Sequence, residues 1–202
     1  MKMDVSQQIS KYLKKARVGI AGVGGLGSNA AVALARVGVG TLIVADFDVI
    51  EIGNLNRQYY FFHQVGLPKV MALKENIHQI DAQIRVVSHH VKLNQQNSIL
   101  IFRDCDVLIE ALDNAQMKQM FIETALSEWP YRPLIVGSGL AGWGKNEIIK
   151  VQQYDNLAIC GDEMFEVSDS LPPLAPRVAV VANLQANAAL EFLLKDFKFK
   201  NE

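Results

Sequence analysis

Short apolar runs rich in β-branched residues alternate with longer stretches of helical period along most of this chain, and glycine or proline marks many of the changes. Arg17 to Gly22 (RVGIAG) is an apolar run that ends in glycine and predicts a buried strand. Gly25 to Val37 is small, apolar and free of proline, which predicts a helix stopped by Gly38 and Gly40. Thr41 to Asp46 (TLIVAD) is the second strand. Helices follow over Lys69–Ile80, Asn94–Phe102 and Ala115–Ser127, with strands at Ile84–Ser88, Cys105–Ala111 and Pro133–Gly137. Strands apolar on both faces and joined by helices give an α/β, Rossmann-like fold. Its sheet is mostly parallel, with helices on both faces.

The last third reads differently. Asn146 to Gln152 predicts one more strand, an antiparallel extension of the sheet. Residues 154–176 show no sustained period and carry Gly161, Pro172, Pro173 and Pro176. A segment that long without structure of its own predicts a functional or mobile crossover. Arg177 to Leu194 closes the pattern as a long apolar helix. Residues 1–202 are read as a single domain, since no repeat or linker interrupts them.

Composition narrows the function classes. Half of the 202 residues are hydrophobic and a fifth are charged, as in a globular protein. The net charge of −1 supplies no basic excess for nonspecific binding to nucleic acid or acidic lipid. The N-terminal stretch MKMDVSQQISKYLKK lacks an apolar signal core, and no apolar run approaches membrane length, so a cytoplasmic protein is expected. Cys105 and Cys160 are too few for a disulfide framework or a four-cysteine zinc site.

The chemistry starts at the first strand–helix turn. GVGGLG sets Gly22, Gly24 and Gly27 in G-x-G-x-x-G spacing, with Gly25 opening the helix. Such a turn lets phosphates approach the backbone beside a positive helix N-terminus. Asp46 ends the next strand nineteen residues after Gly27, where a carboxylate accepts from ribose hydroxyls. On these features alone a nicotinamide dinucleotide would fit. The next segment, DFDVIEIGNLNRQ (Asp46 to Gln58) followed by GLPK (Gly66 to Lys69), changes that. Two cations, Arg57 and Lys69, with the amides Asn54 and Gln58, suit a triphosphate whose charge is neutralised as pyrophosphate departs.

Taken with the DN at Asp113–Asn114 and LAPRVAVVANLQANAALEFLL, these motifs resemble the ThiF/MoeB/HesA family of adenylyltransferases, relatives of ubiquitin-activating enzymes. The short length and the CGD at Cys160 look most like the compact ThiF branch of thiamine biosynthesis. The resemblance implies ATP- and magnesium-dependent adenylation of a ubiquitin-like sulfur carrier ending in Gly-Gly, ThiS-like, with a sulfur donor downstream and a homodimer as the working unit. It assigns Asp46, with Asp48 beside it, to the nucleotide's sugar end. Arg57 and Lys69 go to the phosphates, Asn54, Gln58 and Asn114 to nucleotide contacts, and Asp113 to magnesium. Asp113 follows an apolar strand, at the carboxyl edge where open α/β sheets bind ligands.

The chain departs from the family in two places. The paired CxxC motifs that hold a structural zinc in larger members are absent from the sequence, so no such zinc is expected. No arginine precedes Arg17, although relatives send an N-terminal arginine into the neighbouring subunit; either Lys11, Lys14 or Lys15 replaces it or the contribution from the neighbouring subunit is lost, and a solvated lysine face is the plainer reading. Cys160, in the irregular segment, is a candidate sulfur-handling thiol that lacks a histidine or lysine close in sequence to activate it. Cys105, inside an apolar run, reads as a core residue, and the adjacent His89 and His90 point to opposite faces of a strand. The competing functions are adenylation of another carboxylate (a molybdopterin-type carrier or a tRNA-modification substrate) and a non-catalytic nucleotide-binding subunit.

Overall fold

The computed structural model describes residues 4–198. These form a seven-stranded sheet in the order β3-β2-β1-β4-β5-β7-β6. The strands are β1 (Arg17–Ala21), β2 (Thr41–Asp46), β3 (Arg85–His90), β4 (Val107–Glu110), β5 (Leu134–Ser138), β6 (Lys150–Tyr154) and β7 (Leu157–Gly161). All neighbours pair in parallel except β6, which runs antiparallel to β7. The helices are α1 (Val5–Leu13), α2 (Gly25–Arg36), α3 (Lys69–Ile80), α4 (Gln95–Phe102), α5 (Ala115–Glu128) and α6 (Ala175–Leu193).

Alternation along each strand sorts the core into two layers. Val18 and Ile20 of β1, Leu42 and Val44 of β2, Val107 and Ile109 of β4 and Ile135 of β5 pack under α2, α3 and α6. Ala21, Ile43, Ala45, Leu108, Leu134 and Val136 face the other way, onto Phe102 of α4 and Phe121 of α5. Helices therefore cover both faces, and the carboxyl ends of the six parallel strands share one edge. The order reverses between β1 and β4, which puts the ligand crevice of such a sheet beyond Gly22 and Ala111.

Two boundaries of the expected pattern are corrected. Asn146–Ile148 is a single 3-10 turn and the strand after it is Lys150–Tyr154. More consequentially, residues 154–176 are not irregular throughout. Leu157–Gly161 inserts as β7 between β5 and β6, and the structureless stretch begins only at Asp162. Asp155, in a left-handed conformation (φ 44°), turns β6 into β7.

Candidate functional site

The first turn after β1 shows how sequence shapes the site. Gly22 is left-handed (φ 85°), and a Cβ on Gly27 would stand 1.9 Å from the Gly22 carbonyl oxygen. The two glycines let α2 start flush against the end of β1. Ser28, in the first turns of α2, donates to the Gly24 carbonyl (2.6 Å) and accepts from the Tyr59 N–H (3.0 Å). Asn29 donates to the Arg57 carbonyl (3.0 Å), and the Tyr60 hydroxyl donates to the Val23 carbonyl (2.7 Å). These bonds fasten the segment around Arg57 to the glycine loop from the chain's far side. The Arg57 stem crosses Gly25, its Cγ and Cδ 3.7 and 3.8 Å from where a Cβ would sit.

A cavity of about 550 Å³ opens above this junction, in the range of small-molecule sites. Gly22, Gly24, Gly25, Asp46, Asp48, Arg57, Gln58, Lys69 and Asp113 all line it. Asp46 Oδ2 accepts from the Val23 N–H (2.7 Å) and Oδ1 from the Asp48 N–H (2.9 Å), so the carboxylate is held at the lip of the loop. Burial pushes the Asp46 carboxyl above its usual range, against the pull of those two N–H groups and of Lys69. Lys69, buried at the start of α3, donates to Asp48 Oδ2 (2.7 Å), and Asp48 itself is partly exposed. Gln58 is buried, with its Oε1 in no hydrogen bond among the described residues, an acceptor left over beside the glycine loop. Asp113 is exposed on the loop after β4.

Three expected nucleotide contacts stand elsewhere. Asn54 Oδ1 accepts from the Glu51 N–H (3.0 Å) and Asn114 Oδ1 from the Met117 N–H (3.0 Å). Asn114 is the N-cap of α5, Asn54 closes a 3-10 turn by bonding back to its cap residue Glu51, and neither lines the cavity. Gly27 lies beneath the loop as a packing residue. Lys11, Lys14 and Lys15 are exposed around the end of α1, and Lys14 donates to Gln83 (3.2 Å).

The comparison with protein families matches residues 2–202 to the ThiF family. This chain belongs to the ThiF family. Among relatives, the adenylyltransferase and sulfurtransferase MOCS3 of Anopheles gambiae is 36% identical over 138 residues, 68% of this chain and 31% of that protein. The probable adenylyltransferase/sulfurtransferase MoeZ of Mycobacterium tuberculosis is 35% identical over 130 residues, 63% of this chain and 33% of that one. The matches thus span about a third of these curated relatives. In overall fold the chain superposes on the E. coli tRNA N6-threonylcarbamoyladenosine dehydratase TcdA, solved with AMP, at a TM-score of 0.85 and 21% identity, over 94% of this chain and 90% of that one. E. coli MccB, solved with ATP, gives 0.71 at 23% identity over 93% and 58%.

For a ThiF-family chain the placement of Cys160 is the main correction. It lies inside β7, between Val151 of β6 and Gly137 of β5, and is fully buried under α6. Burial pushes its thiol up to about 12, so no thiolate is available at neutral pH. The expectation of a mobile thiol came from reading residues 154–176 as one loop. Cys160→Ser should leave pyrophosphate exchange within about twofold. It should lower stability by about 1–3 kcal/mol in a denaturant melt, because a hydroxyl replaces an apolar sulfur in the core. A variant with unchanged stability and lost activity would restore a functional thiol.

The sequence reading missed a buried ion pair at the edge of the site. Glu110 ends β4 fully buried, accepts from the Leu112 N–H (2.8 Å) and pairs with Lys118 of α5. Lys118 also donates to the Gly137 carbonyl (2.8 Å) and lines the cavity. The available signal was an acid inside the apolar run CDVLIEA, since a carboxylate so placed demands a cation.

Proposed function

We propose that this chain binds ATP with magnesium and adenylates the C-terminal Gly-Gly carboxylate of a ubiquitin-like sulfur carrier, ThiS-like, in thiamine biosynthesis. The observation that carries the reading is one cavity whose lining joins the glycine loop and the Asp46 carboxylate to Arg57, Lys69 and Asp113. The names of the relatives, adenylyltransferases in MOCS3 and MoeZ, point the same way.

In this scheme the ribose hydroxyls donate to Asp46, and the unpartnered Gln58 Oε1 takes a further donor from the nucleoside. A carboxylate oxygen of the carrier attacks the α-phosphorus, the bond to the bridging oxygen of the β-phosphate breaks, and pyrophosphate carries the electron pair away. Arg57 and Lys69 stabilise the charge that develops on the phosphates. Asp113, an exposed carboxylate on the cavity wall, fits magnesium, which takes few protein oxygens alongside phosphate. The metal would supply further charge neutralisation on the phosphates.

A homodimer belongs to the same proposal. Ile52, Phe61, Phe62, Val65, Leu67 and Met71 are all exposed on the segment that carries Arg57 and Lys69, an apolar surface suited to a second copy. Among the described residues no helix is long and apolar enough to cross a membrane.

Calorimetric titration with ATP–magnesium and with NAD tests the nucleotide half of the reading. ATP should bind and NAD should not, and Asp113→Asn should weaken the magnesium dependence while leaving the melting temperature unchanged. Tight NAD binding with no ATP signal would overturn it.

A further inference from the structure

One buried ion pair stands just behind the cavity without lining it. Asp162, the first residue after β7, pairs with Arg177 in the first turn of α6, and both side chains are almost wholly out of solvent. Two charges taken out of water at a domain edge are a poor route to stability, because apolar side chains of similar size do as well or better there. Their partners indicate what else they do. Asp162 Oδ1 accepts from the Met164 N–H (2.7 Å) and the Phe165 N–H (2.8 Å). Arg177 donates to the Gly144 carbonyl and lies over the Phe165 ring. Three separate stretches therefore meet on the pair: the exit loop of β5, the segment after β7 and the start of α6.

The contact with the exit loop is close. Gly139 is left-handed (φ 72°), and a Cβ there would stand 2.1 Å from Asp162 Oδ1. The Asp162 and Glu163 N–H groups donate to the carbonyls of Gly139 and Ser138 (3.1 Å each), and the Ala141 N–H donates to Phe165 (3.2 Å). Ser138, Gly139 and Leu140 from one side and Glu166, Val167 and Pro173 from the other form the cavity wall at the β5 end, two strands from the glycine loop. α6 does not depend on the pair for its own seat, since Val178, Val181 and Ala182 are buried in the layer shared with α2.

We propose that Asp162 and Arg177 are positioning residues that hold the β5-end wall of the cavity, the side left for the carboxylate substrate once a nucleotide fills the glycine-loop end two strands away, independently of that end. This rests on the adenylation reading for the identity of that substrate. The pair acts through the loops it clamps and touches neither reactant.

The test uses Asp162→Asn, which keeps an acceptor for both N–H groups and drops the charge, and Arg177→Met, in the full chain. Amide hydrogen exchange at Ala141, Gly142, Met164 and Phe165 should rise tenfold or more, with Gly22 and Val23 within threefold of the parent. In ATP–pyrophosphate exchange the KM for a Gly-Gly-ended carrier should rise tenfold or more, with kcat and the ATP Kd within threefold. Should Arg177→Met fail to fold, Asp162→Asn alone carries the comparison. Unchanged amides, faster exchange at all six amides together, or a loosened wall with unchanged carrier KM would each overturn the proposal. If the parent exchanges with no carrier, the adenylation reading fails by itself, and the amide pattern alone decides the clamp.

Discussion

Arg57→Ala and Lys69→Ala should each lower ATP–pyrophosphate exchange by about 10²-fold or more, the loss typical of removing one fixed donor from a charge-stabilising site. The two are not equivalent. Arg57 sits partly exposed over Gly25, and its guanidinium donates to the Gly53 carbonyl and to Asn56 nearby. Its removal subtracts one cation. Lys69 is buried against Asp48, so its removal subtracts a cation and leaves an unpaired carboxylate on the cavity wall, where it would repel the phosphates of the proposed nucleotide. Lys69→Ala is therefore the more damaging, and the double variant with Asp48→Asn should recover part of the loss. Neither change should alter the melting temperature by more than a few degrees, because Asp48 is open enough to hydrate. Near-parental exchange in both single variants would remove these residues from the reaction.

Lys118→Met should produce the largest loss of stability, about 3–5 kcal/mol, the usual consequence of leaving a buried charge without its partner. The partner is Glu110, with no exposed surface. Burial already pushes the Glu110 carboxyl above its ordinary range, and Lys118, the Leu112 N–H and the Gly137 backbone pull it back. The sign of the pH dependence follows. A raised native pKa means that the folded state favours the protonated acid, so its contribution to stability is full below the ordinary glutamate value of about 4.3 and is lost as pH rises through the native one. Without Lys118 the native value rises further. The stability deficit of the variant should then be largest at neutral pH and shrink on acidification toward pH 5. Urea melts across that range decide it, and a deficit independent of pH would mean that packing, not charge, holds Lys118 in place.

The contrast between these two groups shows what local pattern can carry. Gly22 to Gly27 and Asp46 were legible because strand, turn, helix and the next strand's end lie in one short stretch, and their spacing is the geometry. Arg57, Gln58 and Lys69 were legible by position after that loop. Asn54 and Asn114 stand outside the cavity for a related reason: they lie near the site in sequence, but asparagine at a helix start serves the backbone first, Asn114 as a cap and Asn54 by bonding back to the cap residue Glu51. β7 escaped notice because LAICG is only five residues long and opens a stretch whose prolines, Pro172, Pro173 and Pro176, come later, and its parallel partner β5 is some twenty residues away in the chain. Glu110 with Lys118, and Asp162 with Arg177, are pairings that only the assembled sheet brings together. The odd residue of each, a charge in an apolar run, was the visible half.

ATP–pyrophosphate exchange with a panel of purified carriers tests the central claim most directly. Radiolabel from pyrophosphate should enter ATP only when a carrier with a free Gly-Gly carboxylate and magnesium are both present, with the ThiS-like carrier the best substrate and a carrier truncated by its last glycine inactive. Exchange with no member of the panel, by a protein shown to bind ATP, would contradict adenylation of a carrier carboxylate as the function of this site.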